Sequence, residues 1–85
     1  MKVIFEGRAF RELREWAETD PKTVKKIFRL IDDIDRDPFH GLGFPEPLKH
    51  ELAGFWSRQI NEKDRLVYGV HSGVIQVASC KTHYA

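Results

Sequence analysis

The sequence predicts an α+β domain in which an antiparallel sheet packs against two N-terminal helices. Three observations carry this prediction. Apolar residues recur at three- and four-residue steps from Ala9 to Ile34, the spacing of helices with one buried face. After Pro47 the period changes to two, over four short runs rich in Val, Ile, Leu and aromatic residues. Between those runs, Asn61–Asp64 and His71-Ser72-Gly73 have the turn chemistry of tight hairpins, which join antiparallel neighbours. At 85 residues there is room for one core, so residues 1–85 form a single domain.

Val3-Ile4-Phe5 is β-branched and aromatic and starts the chain as a strand. Ala9, Phe10, Leu13, Trp16 and Ala17 make one apolar stripe and define a first helix. On its exposed side Arg8/Glu12, Arg11/Glu15 and Arg14/Glu18 stand four apart, each pair worth about 0.2–0.5 kcal/mol. Asp20 suits an N-cap and Pro21 the first position of a second helix, which runs to about Arg36. Its buried face is Val24, Ile27, Phe28, Ile31 and Ile34, with Lys22, Lys25, Lys26, Arg29 and Arg36 opposite. That basic stripe reads either as a solvated face or as a phosphate-tracking surface for RNA, and Asp33 interrupts it. Asp37-Pro38 ends the helix, because the residue before proline is pushed out of the α region. Pro38–Pro47 holds three prolines and two glycines and is a restricted loop. Leu48–Leu52, Phe55–Ile60, Arg65–Val70 and Val74–Cys80 follow as strands.

Composition removes several function classes. Lys+Arg 14 against Asp+Glu 13 leaves a net charge of +1, so a polyanion must be gripped by local patches. The longest apolar runs, Leu52–Trp56 and Leu66–Val70, fall far short of the roughly 20 residues that span a bilayer. Only Val3-Ile4-Phe5 separates Lys2 from Glu6, too little for a signal-peptide core, so a cytoplasmic chain without membrane contact is expected. The lone Cys80 makes no internal disulfide and reads as a small buried hydrophobe. His40, His50 and His83 lack metal-ligand spacing, and no glycine-rich phosphate loop is present; neither a metal nor a cofactor is expected.

What remains is an acid–base inventory. Glu46 sits between Pro45 and Pro47, whose fixed φ angles hold its backbone; the plain alternative is a solvated loop carboxylate. Arg65 opens a strand and serves either a neighbouring carboxylate or an anion. His83-Tyr84 follows the last strand, where most such residues are idle. Phe55 and Trp56 read as core or dimer contacts rather than base-stacking platforms.

The runs Pro45-Glu46-Pro47-Leu48-Lys49-His50, Gly54-Phe55-Trp56-Ser57-Arg58, Arg65-Leu66-Val67-Tyr68 and His83-Tyr84 resemble the YoeB toxins of the RelE superfamily of bacterial toxin–antitoxin systems. Trp16, Glu18-Thr19-Asp20 and Val24-Lys25-Lys26-Ile27 fit the same pattern, so the resemblance spans the chain. It implies a microbial-ribonuclease-like fold and a ribosome-dependent mRNA endoribonuclease neutralised by a YefM-type antitoxin. Operator DNA would be met only through the antitoxin complex, and self-association of the toxin is left open. A non-catalytic blocker of the ribosomal decoding site is the alternative.

Carried over by residue, the implied active-site set is Glu46, Arg65, His83 and Tyr84 as catalytic residues with Lys49 on the RNA; Arg58 and Gln59, and Lys22, Lys25, Lys26 and Arg29 of the basic stripe, are the further expected RNA contacts. Relatives commonly show two arginines after Trp-Ser, whereas here Arg58 is followed by Gln59. They often show His before the strand arginine, where this chain has Asp64; adjacent strand residues face opposite ways, so Asp64 need not quench Arg65. RNA carries its own nucleophile, the 2′-hydroxyl, so cleavage needs a base, an acid and cations around phosphorus. Glu46, in a partly dry cleft, is the expected base and His83 the acid. Arg65 and Lys49 hold the phosphate, and Tyr84 stacks on a base or orients the phosphate.

Overall fold

The apolar sides of both helices close against one face of a five-stranded sheet. A computed structural model describes residues 1–81. The elements run β1 (Lys2–Phe5), α1 (Gly7–Thr19), α2 (Pro21–Arg36), β2 (Glu46–Pro47), a short 3-10 turn (His50–Leu52), β3 (Trp56–Gln59), β4 (Arg65–His71) and β5 (Val74–Ser79). Strand order is β1-β5-β4-β3-β2. Strands β2 to β5 pair antiparallel, as the hairpin turns require, whereas β1 pairs parallel with β5 and makes the sheet mixed. Both helices lie between β1 and its partner in sequence, and such a long crossover is what parallel pairing needs. The β4–β5 turn is Ser72-Gly73, both with positive φ (52° and 74°), the two-residue hairpin geometry that matches strand twist.

The core is Ala9 from α1; Ile27, Leu30, Ile31 and Ile34 from α2; and Ile60, Leu66, Tyr68, Ile75, Val77 and Cys80 from the sheet side. Burying each of the large aliphatic side chains is worth about 1.5–3 kcal/mol. Two sequence expectations are corrected on the helices. Phe28 is exposed and Leu30 takes its place, because Leu30 lies three residues from Ile27 and four from Ile34 whereas Phe28 points 100° away from Ile27. Phe10 and Ala17 are likewise outside the contact stripe of α1. Of the three expected ion pairs on α1 only Arg8–Glu12 closes (3.0 Å); Glu15 instead pairs with Lys81. Pro21 is the first residue of α2, and Asp20 binds the Thr23 hydroxyl rather than a backbone N–H.

The expected strand Leu48–Leu52 is absent. His50 has φ +59° and Gly54 φ +96°, so the chain coils through the 3-10 turn and is closed by Leu48 N–H donating to Phe55 O. The strand begins earlier, at Glu46, paired with Ser57. A bulge sits where Val67 faces Ser79 and Tyr68 faces Val77, leaving Ala78 unpaired. That extra residue turns Ser79 away from the helices and returns Cys80 to the core, where its Sγ meets Ala9 O. Burial pushes the Cys80 thiol up to about 12, which makes it the inert hydrophobe expected.

Candidate active site

Strand pairing fixes which residues share a sheet face. Trp56, Arg58, Leu66 and Tyr68 point to the helices. Their neighbours point the other way: Glu46 stands opposite Ser57, Ser57 opposite Val67, and Gln59 opposite Arg65. Glu46 and Arg65 therefore share the face turned away from the helices, two strands and two residues apart. With strand spacing of about 4.8 Å and a rise of about 3.3 Å per residue, their Cα atoms lie about 12 Å apart, a gap that two long side chains can close around one phosphodiester.

Beside Glu46 a hollow of about 660 Å³ is lined by Glu46, Pro47, Leu48, Lys49, His50, Glu51 and Leu52. Glu46 is on the rim rather than in a dry cleft: β2 is a two-residue edge strand and its residues are exposed. Lys49 is exposed in the same hollow. His50 lines it too, a residue whose sequence context gave no signal because only the left-handed turn at φ +59° turns it there. Ser57, between Glu46 and Val67, is fully buried, and its Oγ has no hydrogen-bond partner among the described residues. His83 and Tyr84 lie outside the described residues. Asp64 is spent in its turn, accepting from the Asn61 side-chain amide (3.0 Å), and makes no ion pair with Arg65.

Arg58 is the clear departure from the RNA-contact expectation. It is fully buried, and its donors are used inside the protein. Nε donates to Tyr68 Oη (3.1 Å); Nη1 donates to Asp33 Oδ2 (2.6 Å) and Leu42 O (3.1 Å); Nη2 donates to Asp37 O (2.7 Å) and His40 O (3.3 Å). A guanidinium has five N–H donors, and this one has five acceptors, so no fork is left for a phosphate. Tyr68 Oη in turn donates to Pro38 O (2.7 Å). Arg58 thus clasps residues 37–42, the stretch that delivers the chain to Glu46. Gly41 belongs to the same clasp: at φ +129°, a Cβ there would stand 2.0 Å from Asp33 Oδ2.

Asp33, which merely interrupted the basic stripe in the sequence, is the hub. It accepts from Arg36 Nε (3.0 Å), the Leu42 backbone N–H (2.8 Å) and Arg58. The Arg36 hydrogen bond, then those from Leu42 and Arg58, hold its carboxyl well below the usual carboxylate range. A carboxyl depressed in the folded chain contributes stability above its unfolded value, near pH 4, and loses it as pH falls through the folded value. Asp33→Asn is therefore expected to lower stability at neutral pH and to flatten the loss between about pH 4 and pH 2. Urea melts across that range check it; an unchanged acid limb contradicts the hub.

Lys22, Lys25, Lys26 and Arg29 are all exposed on α2. Arg36 leaves the basic stripe for Asp33. Trp56 is half-buried against Phe39, with centroids 4.9 Å apart, so it packs rather than offering a platform. Among the described residues no group of three His, Cys, Asp or Glu could hold a metal ion, and no helix is long and apolar enough to cross a membrane.

Residues 5–84 match the family model described as the YoeB-like toxin of bacterial type II toxin–antitoxin systems. The toxin YoeB of Escherichia coli K12 is 50% identical over 84 residues, covering 99% of this chain and 100% of that protein. Among solved structures, the YoeB dimer from Staphylococcus aureus superposes with a TM-score of 0.93 at 44% identity, over 99% of this chain and 98% of that one. The toxin chain of the heterotetrameric YoeB–YefM complex from the same organism gives 0.91 at 44% identity with the same coverage.

Proposed function

The chain belongs to the YoeB-like toxin family of bacterial type II toxin–antitoxin systems, and we propose that it is a ribosome-dependent endoribonuclease acting on mRNA in the cytoplasm. The observation that supports this reading is that Glu46 and Arg65 share the sheet face turned away from the helices, with Lys49 in the hollow beside Glu46. Glu46 takes the proton of the 2′-hydroxyl, whose oxygen attacks phosphorus while the 5′ oxygen leaves. His83 protonates that leaving oxygen, because imidazolium titrates in the physiological window. Arg65 holds the charge that builds on the pentacoordinate phosphorus through its forked donors, and Lys49 adds a point charge. Tyr84 stacks on a flanking base or orients the phosphate.

The chemistry fixes the products as a 2′,3′-cyclic phosphate, or the 3′-phosphate from its hydrolysis, and a 5′-hydroxyl. Mapping RNA ends after incubation with programmed ribosomes tests it: new 5′-hydroxyl ends are expected, and blocked translation without new ends overturns cleavage in favour of a steric inhibitor. A YefM-type antitoxin and a second copy of the toxin are the proposed partners, since the Staphylococcus aureus relatives are solved in those assemblies. Any grip on operator DNA would come through the antitoxin.

A further inference from the structure

A second hollow, of about 280 Å³, lies between α2 and the loop that precedes β2. Its lining is Lys26, Arg29, Leu30, Leu42, Gly43, Phe44 and Gln59. Three features set it apart. Phe44 is 75% exposed, the largest exposure among the large apolar side chains described. It also has φ +54°, a left-handed conformation that is unusual for a bulky residue and costs on the order of 1–3 kcal/mol. Strain of that kind, holding an aromatic ring out in water, has no packing return. Lys26 and Arg29, one helical turn apart on the same side of α2, make no ion pair among the described residues.

Gln59 joins this hollow to the candidate active site. Gln59 is one of the residues lining the hollow, and it stands directly across from Arg65 on β4. Its N–H donates to Gly43 O (2.6 Å), fixing the loop against β3. Gly43 has φ +79°, and a Cβ there would come within 3.0–3.1 Å of Gln59 O, Arg58 Cβ and Leu30 Cδ2, so the close approach that shapes the wall needs glycine.

We infer that this hollow is a nucleotide subsite: it receives one unpaired ribonucleotide of the RNA that passes Arg65, with its base on the Phe44 ring and its phosphate between Lys26 and Arg29. The apolar floor of Leu30 and Leu42 suits a base face, and the two unpaired cations suit its phosphate. A single base stacked on an aromatic ring binds about 5- to 150-fold more tightly than without the ring. The Gln59 amide can donate and accept at a base edge. The assignment rests on the RNA-directed reading of the chain.

The test uses Glu46→Gln protein, which should bind without cutting, on programmed ribosomes. Phe44→Ala in that background is expected to weaken binding within that 5- to 150-fold range, and Phe44→Tyr to restore it. Phe44→Gly should weaken binding while the thermal midpoint holds or rises, because glycine relieves the left-handed backbone; a merely packed ring would lower both. A photoreactive benzoylphenylalanine at 44 then names the occupant. An adduct to mRNA supports the subsite, and an adduct to ribosomal RNA overturns it. An adduct to a second toxin copy or to a ribosomal protein, or unchanged affinity for Phe44→Ala, overturns it. RNA ends made by the protein with an intact Glu46 report on cleavage separately, so a missing nuclease and a missing subsite give different results.

Discussion

Glu46→Gln is expected to slow single-turnover cleavage of ribosome-bound mRNA by about 100- to 10,000-fold, the usual contribution of a general base. Glutamine keeps the size of the side chain and the backbone pairing of position 46 with Ser57, and Pro45 and Pro47 still fix the local φ angles. Because Glu46 is exposed, stability should stay within about 0.5 kcal/mol of the parent. Lost rate with kept fold and kept ribosome affinity is the signature of chemistry rather than binding. His83→Gln is expected to behave in the same way as the acid partner. Parental rates in both variants would remove the acid–base assignment, whatever the family does elsewhere.

The parts of the site legible in the sequence are those set by local rules. Two-residue periodicity put Arg65 at the start of a strand, where pairing sets it on the face away from Leu66 and Tyr68, and flanking prolines marked Glu46 as held. Asp64 could be read as harmless to Arg65 for the same reason. What failed depended on contacts distant along the chain. Arg58 beside Trp56 and Ser57 reads as a phosphate ligand, and nothing local shows that Asp33, 25 positions away, waits beneath it. Leu48 and Leu52 mimic a strand by spacing, but left-handed His50 and Gly54 coil the chain there. Phe28 borders the apolar face of α2, but Leu30, spaced three from Ile27 and four from Ile34, is the residue that faces the core. The parallel pairing of β1 with β5 is a property of the crossover, to which pattern and turn chemistry are blind.

Arg58→Ala should be strongly destabilising, at about 3–5 kcal/mol, because it leaves the carbonyls of Asp37, His40 and Leu42 without this donor and takes one of three donors from Asp33. At roughly 4–8 °C per kcal/mol for a domain of this size, the thermal midpoint should fall by more than 10 °C. Lysine should not rescue it: an ammonium has three donors on one atom, whereas the five acceptors here spread from Tyr68 to His40. Tyr68→Phe, which removes only the link to Pro38 O and the acceptor for Nε, should cost about 1 kcal/mol. Pairing Arg58→Ala with Asp33→Ala should cost less than the sum of the two, since both remove the same Arg58–Asp33 hydrogen bond. The loop 37–42 is held by this clasp and leads directly to Phe44 and Glu46, so Tyr68→Phe, mild enough to fold, should still lower the cleavage rate. A contrary result has a definite meaning: if Arg58→Ala kept the parental midpoint and lost RNA affinity instead, the guanidinium would have to reach phosphate after all, and the buried clasp would be the wrong account of it.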